Sequence, residues 1–320
     1  MAYIKYCYYS WMVQSSMEEC IMDYKILERD AKLGDYKALK KLEERQAKLE
    51  VLPVRDAFGY SLTWCPDAIP EELIDDINKM YKNISITDID TDISIEKESF
   101  HSCRIEGADT TLDELFDIFR AKRTESKGDK MILNTYRAVK FLNLTSKRNT
   151  DTLVRLWEIV TDGVCDNFGL SGSKFRTGVV TVGTHQAPEV ELLDYCMKQF
   201  FDFYNADNIE CPYIKVAIVH FYFVYMHPFC DGNGRIARLI TSDFLIRSGL
   251  NNFSALTLSK TINETAPAYY QAIENSENSF HDVTPFIQYM LKTVYDNLYE
   301  VLEGQNKYVV MHTDWKRVFV

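Results

Sequence analysis

Pro212-Tyr-Ile-Lys-Val-Ala-Ile-Val-His-Phe-Tyr-Phe-Val-Tyr-Met226, followed at once by His227-Pro-Phe-Cys-Asp-Gly-Asn-Gly-Arg235, is the stretch whose reading decides the fold. Its first part is apolar on nearly every face of a helical period (Val216, Ala217, Ile218, Val219, Phe221, Phe223, Val224), which predicts a helix buried all round. Lys215, His220 and a length short of a bilayer span exclude a membrane helix. Pro228 stops the helix, because its ring cannot continue the hydrogen-bond ladder. A polar loop then leads into a second helix, expected from about Asn233 to Arg247. One central buried helix followed by another points to a mainly α fold.

The loop concentrates groups that handle phosphate. Gly232 and Gly234 allow a sharp turn and leave backbone N–H groups uncovered at a helix N-terminus, where the dipole favours anions. Arg235 and Arg238 add charge-assisted donors on adjacent turns. Asp231 is a hard oxygen ligand of the kind Mg²⁺ shares with phosphate oxygens. His227, of a residue type that titrates near neutrality, can accept a proton from an attacking hydroxyl. A histidine after an apolar helix, or a D-G-N-G turn, is ordinary by itself. The whole pattern H-P-F-x-[DE]-G-N-G-R would arise by chance in a chain this long with a probability on the order of 10⁻⁸.

Outward from the loop, 320 residues suffice for a large core or two domains. A net charge of -11 argues against nucleic-acid backbone binding, so any phosphate site is local. Eight scattered cysteines without zinc spacing read as free thiols of a reducing, cytoplasmic compartment, and the N-terminus lacks a convincing secretory segment. Met22 to Leu52 reads as exposed, charged helices. Asn83 to Glu98, with Ile among Asp, Thr and Ser, reads as a linker or edge element. A capping box at Thr111-Leu-Asp-Glu114 predicts a helix from about Leu112. Further helices are expected at Asn134 to Leu144, Thr152 to Val164, Glu189 to Tyr204 and Thr284 to Leu302. Phe175 to Gly183 is the strand or hairpin candidate, and Lys307 to Val320 reads as a tail able to form a short hairpin.

The loop resembles the signature loop of the Fic family of nucleotidyltransferases, and the likeness extends over roughly Glu96 to Leu302. Phe175-Arg-Thr-Gly178 onward is similar to the family's β-hairpin flap, and Tyr269-Tyr270 to a downstream pair. The resemblance implies a Fic-type helical bundle with a short flap, spanning 96–305. Residues 1–95 would form an N-terminal helical region and 306–320 a tail. It also implies ATP and Mg²⁺ as cosubstrates and AMP transfer to a Ser, Thr or Tyr hydroxyl of a protein. His227 would then be the general base and Asp231 the Mg²⁺ ligand. Gly232, Asn233, Gly234 and Arg235 would hold the phosphates, Arg238 the far end of the triphosphate, and Tyr270 would border the adenine. The flap, Arg176, Thr177, Gly178, Val179, Val180, Thr181, Val182 and Gly183, would hold the target as an added strand. Gly234, where the family's kinase-like branch has Lys, favours AMP transfer over phosphate transfer.

Ser102-Cys-Arg-Ile-Glu106-Gly107 resembles the family's inhibitory pattern [ST]-x-x-x-E-[GN], which implies an inhibitory helix at about 99–107 (class II Fic). Such a match alone would occur in roughly one chain in four; the setting supports it, because Gly107 can close a helix in the left-handed conformation. Glu106, by pairing with Arg238, would occupy the place of the γ-phosphate. The resemblance leaves open AMP removal by the same site, another nucleotide donor, and an inactive nucleotide-binding module. Partners implied are a protein substrate, the chain itself as target, and compatibility with a homodimer, without nucleic acid or membrane. A dinucleotide-binding reading of Gly232-x-Gly234-x-x-Ala237 fails because a long apolar helix, not a strand, precedes it.

Overall fold

The computed structural model describes residues 24–84, 88–120, 126–165, 175–182, 185–250, 257–279 and 281–318. In chain order they form α1 (Tyr24–Lys32), α2 (Tyr36–Gln46), β1 (Glu50–Arg55), β2 (Ser61–Trp64), α3 (Glu71–Asn83), α4 (Asp88–Ile105), α5 (Leu115–Arg120), α6 (Lys127–Leu144) and α7 (Thr150–Thr161). There follow β3 (Thr181–Val182), β4 (His185–Gln186), α8 (Leu193–Asn205), α9 (Pro212–Met226), α10 (Asn233–Arg247), α11 (Ser259–Glu264), α12 (Ala266–Glu277) and α13 (Thr284–Val318). The fold is mainly α, with two antiparallel pairs of strands, β1–β2 and β3–β4. No helix among the described residues is long and apolar enough to cross a membrane.

The chain divides into two compact units, each discontinuous in sequence. The first comprises 1–70, 171–228 and 267–292. Its centre is α9, buried along almost its whole length as its all-round apolar composition predicts. The polar group on it that composition leaves unexplained, His220, shares a 2.8 Å hydrogen bond with the Tyr269 hydroxyl. Tyr222 donates to the Arg55 carbonyl at 2.6 Å, and the Ala57 amide donates to the Tyr225 hydroxyl. Arg45 and Asp282 form a buried ion pair at 2.9 Å, and Thr63 exchanges backbone bonds with His281 and Val283. Arg45, Leu52, Val54 and Leu62 are thus part of this unit's core.

The second unit comprises 71–170, 229–266 and 293–320. Phe100 and Cys103 of α4 pack with Leu115 and Ile118 of α5 and with Met131 and Ile132 of α6. Ser126 and Asp129 form a reciprocal capping box at the start of α6, and Asn149 caps α7. Arg148 grips the Asp243 carboxylate of α10 with two nitrogens, at 2.5 and 2.7 Å.

Several expectations are corrected. Asp88–Glu98 is helical, not a linker, because burial of Ile95, Glu98, Ser99, Phe100 and Ser102 on one side of α4 outweighs its weak helix propensity. The segment 307–318 continues α13 rather than forming a hairpin; extending an existing helix costs less than nucleating a new element, and no Pro or Gly lies within 307–318. The β1–β2 hairpin sits in the region read as helical, its register shifting between Val51 and Arg55, where Pro53 lacks the N–H for a regular ladder. Glu114 does accept from the Thr111 amide at 2.7 Å, but the bond closes a turn and the helix starts at Leu115.

Glu98 is buried, its carboxylate accepting from the Ser259 amide at 3.0 Å and from the Ser259 hydroxyl. Desolvation raises its pKa from 4.5 to about 7, against the opposing pull of these bonds and of Arg238. A raised carboxyl pKa means that ionisation is disfavoured in the fold. The associated stability is complete below pH 4.5 and is lost as pH rises through about 7. Glu98→Gln is therefore expected to match the parent in thermal unfolding near pH 4.5 and to exceed it at pH 8, by up to about 3 kcal/mol. Equal melting curves at both pH values would contradict this.

Candidate functional site

His227 follows the last turn of α9 with φ 44 and ψ 59, a left-handed conformation that costs a residue with a side chain about 1–2 kcal/mol. Its amide still closes the helix onto the Phe223 carbonyl at 3.1 Å. Pro228 prevents further helix, so the turn is written in the sequence, while its stabilisation comes from elsewhere. The Arg176 side chain donates to the His227 carbonyl at 2.8 Å, and the Arg176 amide to the Pro228 carbonyl at 2.9 Å.

Arg176 is therefore not a target-facing residue as expected: it is 1 % exposed, and its remaining nitrogens bind the carbonyls of Gly178 and Pro188. Thr177, Gly178, Val179 and Thr181 of the expected flap are exposed and Val180 partly so. The hairpin is shorter than expected, with Thr181–Val182 paired to His185–Gln186 and the Ala187 amide donating to the Val180 carbonyl. Gly183 lies outside the described residues. Tyr270 is on α12, half exposed, its ring set edge-on to Tyr269 at 5.1 Å; Tyr269 itself belongs to the core.

In the second unit, the loop 229–232 turns into the N-terminus of α10, a cradle of the kind whose backbone amides favour an anion. Gly232 takes φ 83, and a Cβ there would press on Thr161 at 3.2 Å and Val160 at 3.4 Å. The first helical bond runs from the Ile236 amide to the Gly232 carbonyl at 3.0 Å, so the amides of residues 233–235 stand outside the ladder. The Asn233 side chain ties the loop back on itself, accepting from the Phe229 amide at 3.0 Å and donating to the Phe229 carbonyl at 2.7 Å. The Asn233 side chain is thus an internal clasp, 2 % exposed, and the backbone amide is the group this residue has left for a phosphate.

Arg235 is 1 % exposed, donates to the Val160 carbonyl at 3.0 Å and approaches Asp231 at 3.4 Å. Its Nε is buried without a hydrogen-bond partner among the described residues, a donor left for an anion. Asp231 presents a half-exposed carboxylate held by the Gly232 amide at 2.5 Å. Among the described residues no three His, Cys, Asp or Glu side chains converge on one point. A single carboxylate nonetheless suits Mg²⁺, which commonly takes one or two protein oxygens and completes its shell with phosphates and water. The cradle, the orphan donor and this carboxylate fit a nucleotide with its metal.

The helix expected at Thr152 to Val164 is α7, and it carries a contact that its apolar period does not reveal. Trp157 donates from its indole N–H to the Asp231 carbonyl at 3.0 Å and stacks on Phe229 with ring centroids 5.4 Å apart and planes at 17°. Only the apolar period of α7 was visible in sequence, and that period cannot tell a core indole from one bracing a loop. Trp157→Phe retains a ring against Phe229 but removes the donor. It is expected to cost about 1 kcal/mol of stability in a thermal melt. An unchanged melting temperature would show the bond to be dispensable.

Glu106 and Arg238 meet. The Arg238 guanidinium donates to Glu106 Oε1 at 2.6 Å, to the Ser102 hydroxyl at 2.9 Å and to the Ser102 carbonyl at 2.8 Å. Glu98, Ser102 and Glu106 are spaced by four, so α4 and the turn that follows it present them along one side. Gly107 then ends the helix at φ 82. Gly234 lies under this pair: a Cβ there would collide with the Glu106 carboxylate and stand 3.2 Å from Arg238. A residue with a side chain at 234 cannot coexist with Glu106 in this position.

The fold is mainly helical, and the Glu106 carboxylate just past α4 pairs with Arg238 near the start of α10. Residues 149–245 match the model of the Fic/DOC family. A protein adenylyltransferase Fic of Culex quinquefasciatus is 29 % identical over 208 residues, covering 61 % of this chain and 40 % of that protein. One from Nematostella vectensis is 28 % identical over 60 % of this chain and 45 % of its own length. The chain thus spans less than half the length of these relatives. In structure it is similar to a Fic family protein from Desulfovibrio desulfuricans G20, with TM-score 0.65 and 21 % identity over 74 % of this chain and 76 % of the other. It is also similar to Fic-1 (aa134 - 508) of C. elegans, with TM-score 0.62 and 20 % identity over 76 % and 74 %.

Proposed function

We propose that this protein transfers AMP from ATP to a hydroxyl of a protein substrate, itself included, and that Glu106 holds the activity off. The observation that carries the reading is the Glu106–Arg238 pair at 2.6 Å beside the cradle of Gly232, Gly234 and Arg235. A carboxylate paired there competes with the terminal phosphate for the same guanidinium. The relatives named as protein adenylyltransferases support the choice of AMP transfer.

In this reading the first-turn amides of α10 and the Arg235 Nε hold the phosphates, and Asp231 would hold Mg²⁺, which when bound would offset charge on the phosphate oxygens. His227 accepts the proton of the target hydroxyl as its oxygen attacks the α-phosphorus of ATP, and the bond to the β-phosphate breaks to release pyrophosphate. The exposed stretch Thr177–Thr181 offers backbone groups to an extended target segment, so selection of the hydroxyl falls to the hairpin. Tyr270 is assigned to the adenine edge. The free thiols at Cys65, Cys103, Cys165, Cys196, Cys211 and Cys230 suit a reducing compartment such as the cytoplasm.

Incubation of the Glu106→Gly variant with α-labelled ATP and Mg²⁺, beside labelled UTP, GTP and CDP-choline, tests the proposal. Label is expected on protein from ATP alone. A folded variant that labels nothing from any donor overturns the reading, and label from another donor reassigns the nucleotide.

A further inference from the structure

Arg176 is a buried cation bound by backbone alone. Among the described residues its guanidinium has no carboxylate in ion-pair range. Burial lowers its pKa, with Cys196 and Glu189 acting weakly in the other direction. A charge held under such conditions is retained where its geometry matters, and the planar fork of arginine fixes three acceptors in set directions. Its acceptors are the His227 carbonyl at 2.8 Å, the Gly178 carbonyl at 2.8 Å and the Pro188 carbonyl. Gly178 stands just before β3 and Pro188 just after β4, so two bonds hold the feet of the hairpin and the third holds the left-handed residue. The backbone bond from the Arg176 amide to the Pro228 carbonyl closes the frame.

We propose that Arg176 is a positioning residue: it locks the left-handed backbone of His227 and couples that state to the seating of the β3–β4 hairpin. The proposal rests on the reading of His227 as general base. The direction of the imidazole follows from its backbone, and the hairpin presents the target hydroxyl. Docking of a target and aiming of the base are then one mechanical event. Lysine, a single ammonium on a flexible stem, cannot hold three carbonyls in one plane.

The experiment compares Glu106→Gly with Glu106→Gly carrying Arg176→Lys or Arg176→Ala. Both double variants are expected to lose kcat by at least about tenfold while KM for ATP stays within about twofold, since displacement of a reacting group by an ångström can cost two decades. Added guanidinium ion restores part of the rate of the Arg176→Ala form, and the His227 ring resonances shift in both. A kcat within about twofold of the parent in the folded Lys form overturns the proposal, by the same scale. Silence of the Glu106→Gly parent instead overturns the reading of the function. Hydrogen exchange on the parent needs neither variant to fold: the Arg176 and His227 amides are expected to open with one common free energy. Independent opening overturns the coupling.

Discussion

Glu106→Gly is expected to raise AMP transfer by on the order of 10²-fold, the upper range of a coupling between two sites. In the parent, Arg238 divides its donors between Ser102 and Glu106, and in the proposed reading the carboxylate competes there with the terminal phosphate. Removing the carboxylate leaves the Ser102 bonds, which hold the guanidinium in place, and frees its charge. The substitution falls where α4 ends and Gly107 already turns left-handed, so the loss of helix propensity is small. Far-ultraviolet circular dichroism should therefore be unchanged while labelling rises. Equal labelling by parent and variant would show that the pair is structural and not a brake.

His227→Ala in the Glu106→Gly background is expected to lower kcat by about 10²–10⁴-fold, the usual contribution of a positioned base. ATP affinity should hold, because the cradle is built from Gly232, Gly234, Arg235 and Asp231 and not from the imidazole. The alanine also occupies a left-handed position without a polar side chain, so some stability is lost, and the comparison is made on variants shown to be folded. A kcat within about threefold of the Glu106→Gly parent would assign proton removal elsewhere, since even weak general-base catalysis contributes more than that.

Part of this was legible in sequence. The bounds of α9 and α10 came from Pro212, Pro228 and Gly232, because these residues control the backbone locally whatever surrounds them. The resemblance of Ser102–Gly107 to an inhibitory pattern located the partner of Arg238. The helicity of Asp88–Glu98 could not be read, since its Asp, Thr and Ser favour other conformations locally and only the burial of one side of α4 reverses the balance. The β1–β2 hairpin escaped for a related reason: its inward residues, Leu52, Val54 and Leu62, gain their stability from packing in the unit's core.

By itself the sequence determined the chemistry of this protein: a histidine, a carboxylate, two glycines and two arginines in one short stretch, with a glutamate placed far upstream. Only the tertiary structure decided what each group is free to do. It spends Arg176 and Asn233 on backbone, leaves a nitrogen of Arg235 without a partner among the described residues, and sets Trp157 behind Asp231. The reason is physical. Residue type fixes which bonds a side chain can form, whereas burial and the positions of distant carbonyls fix which of those bonds are already taken.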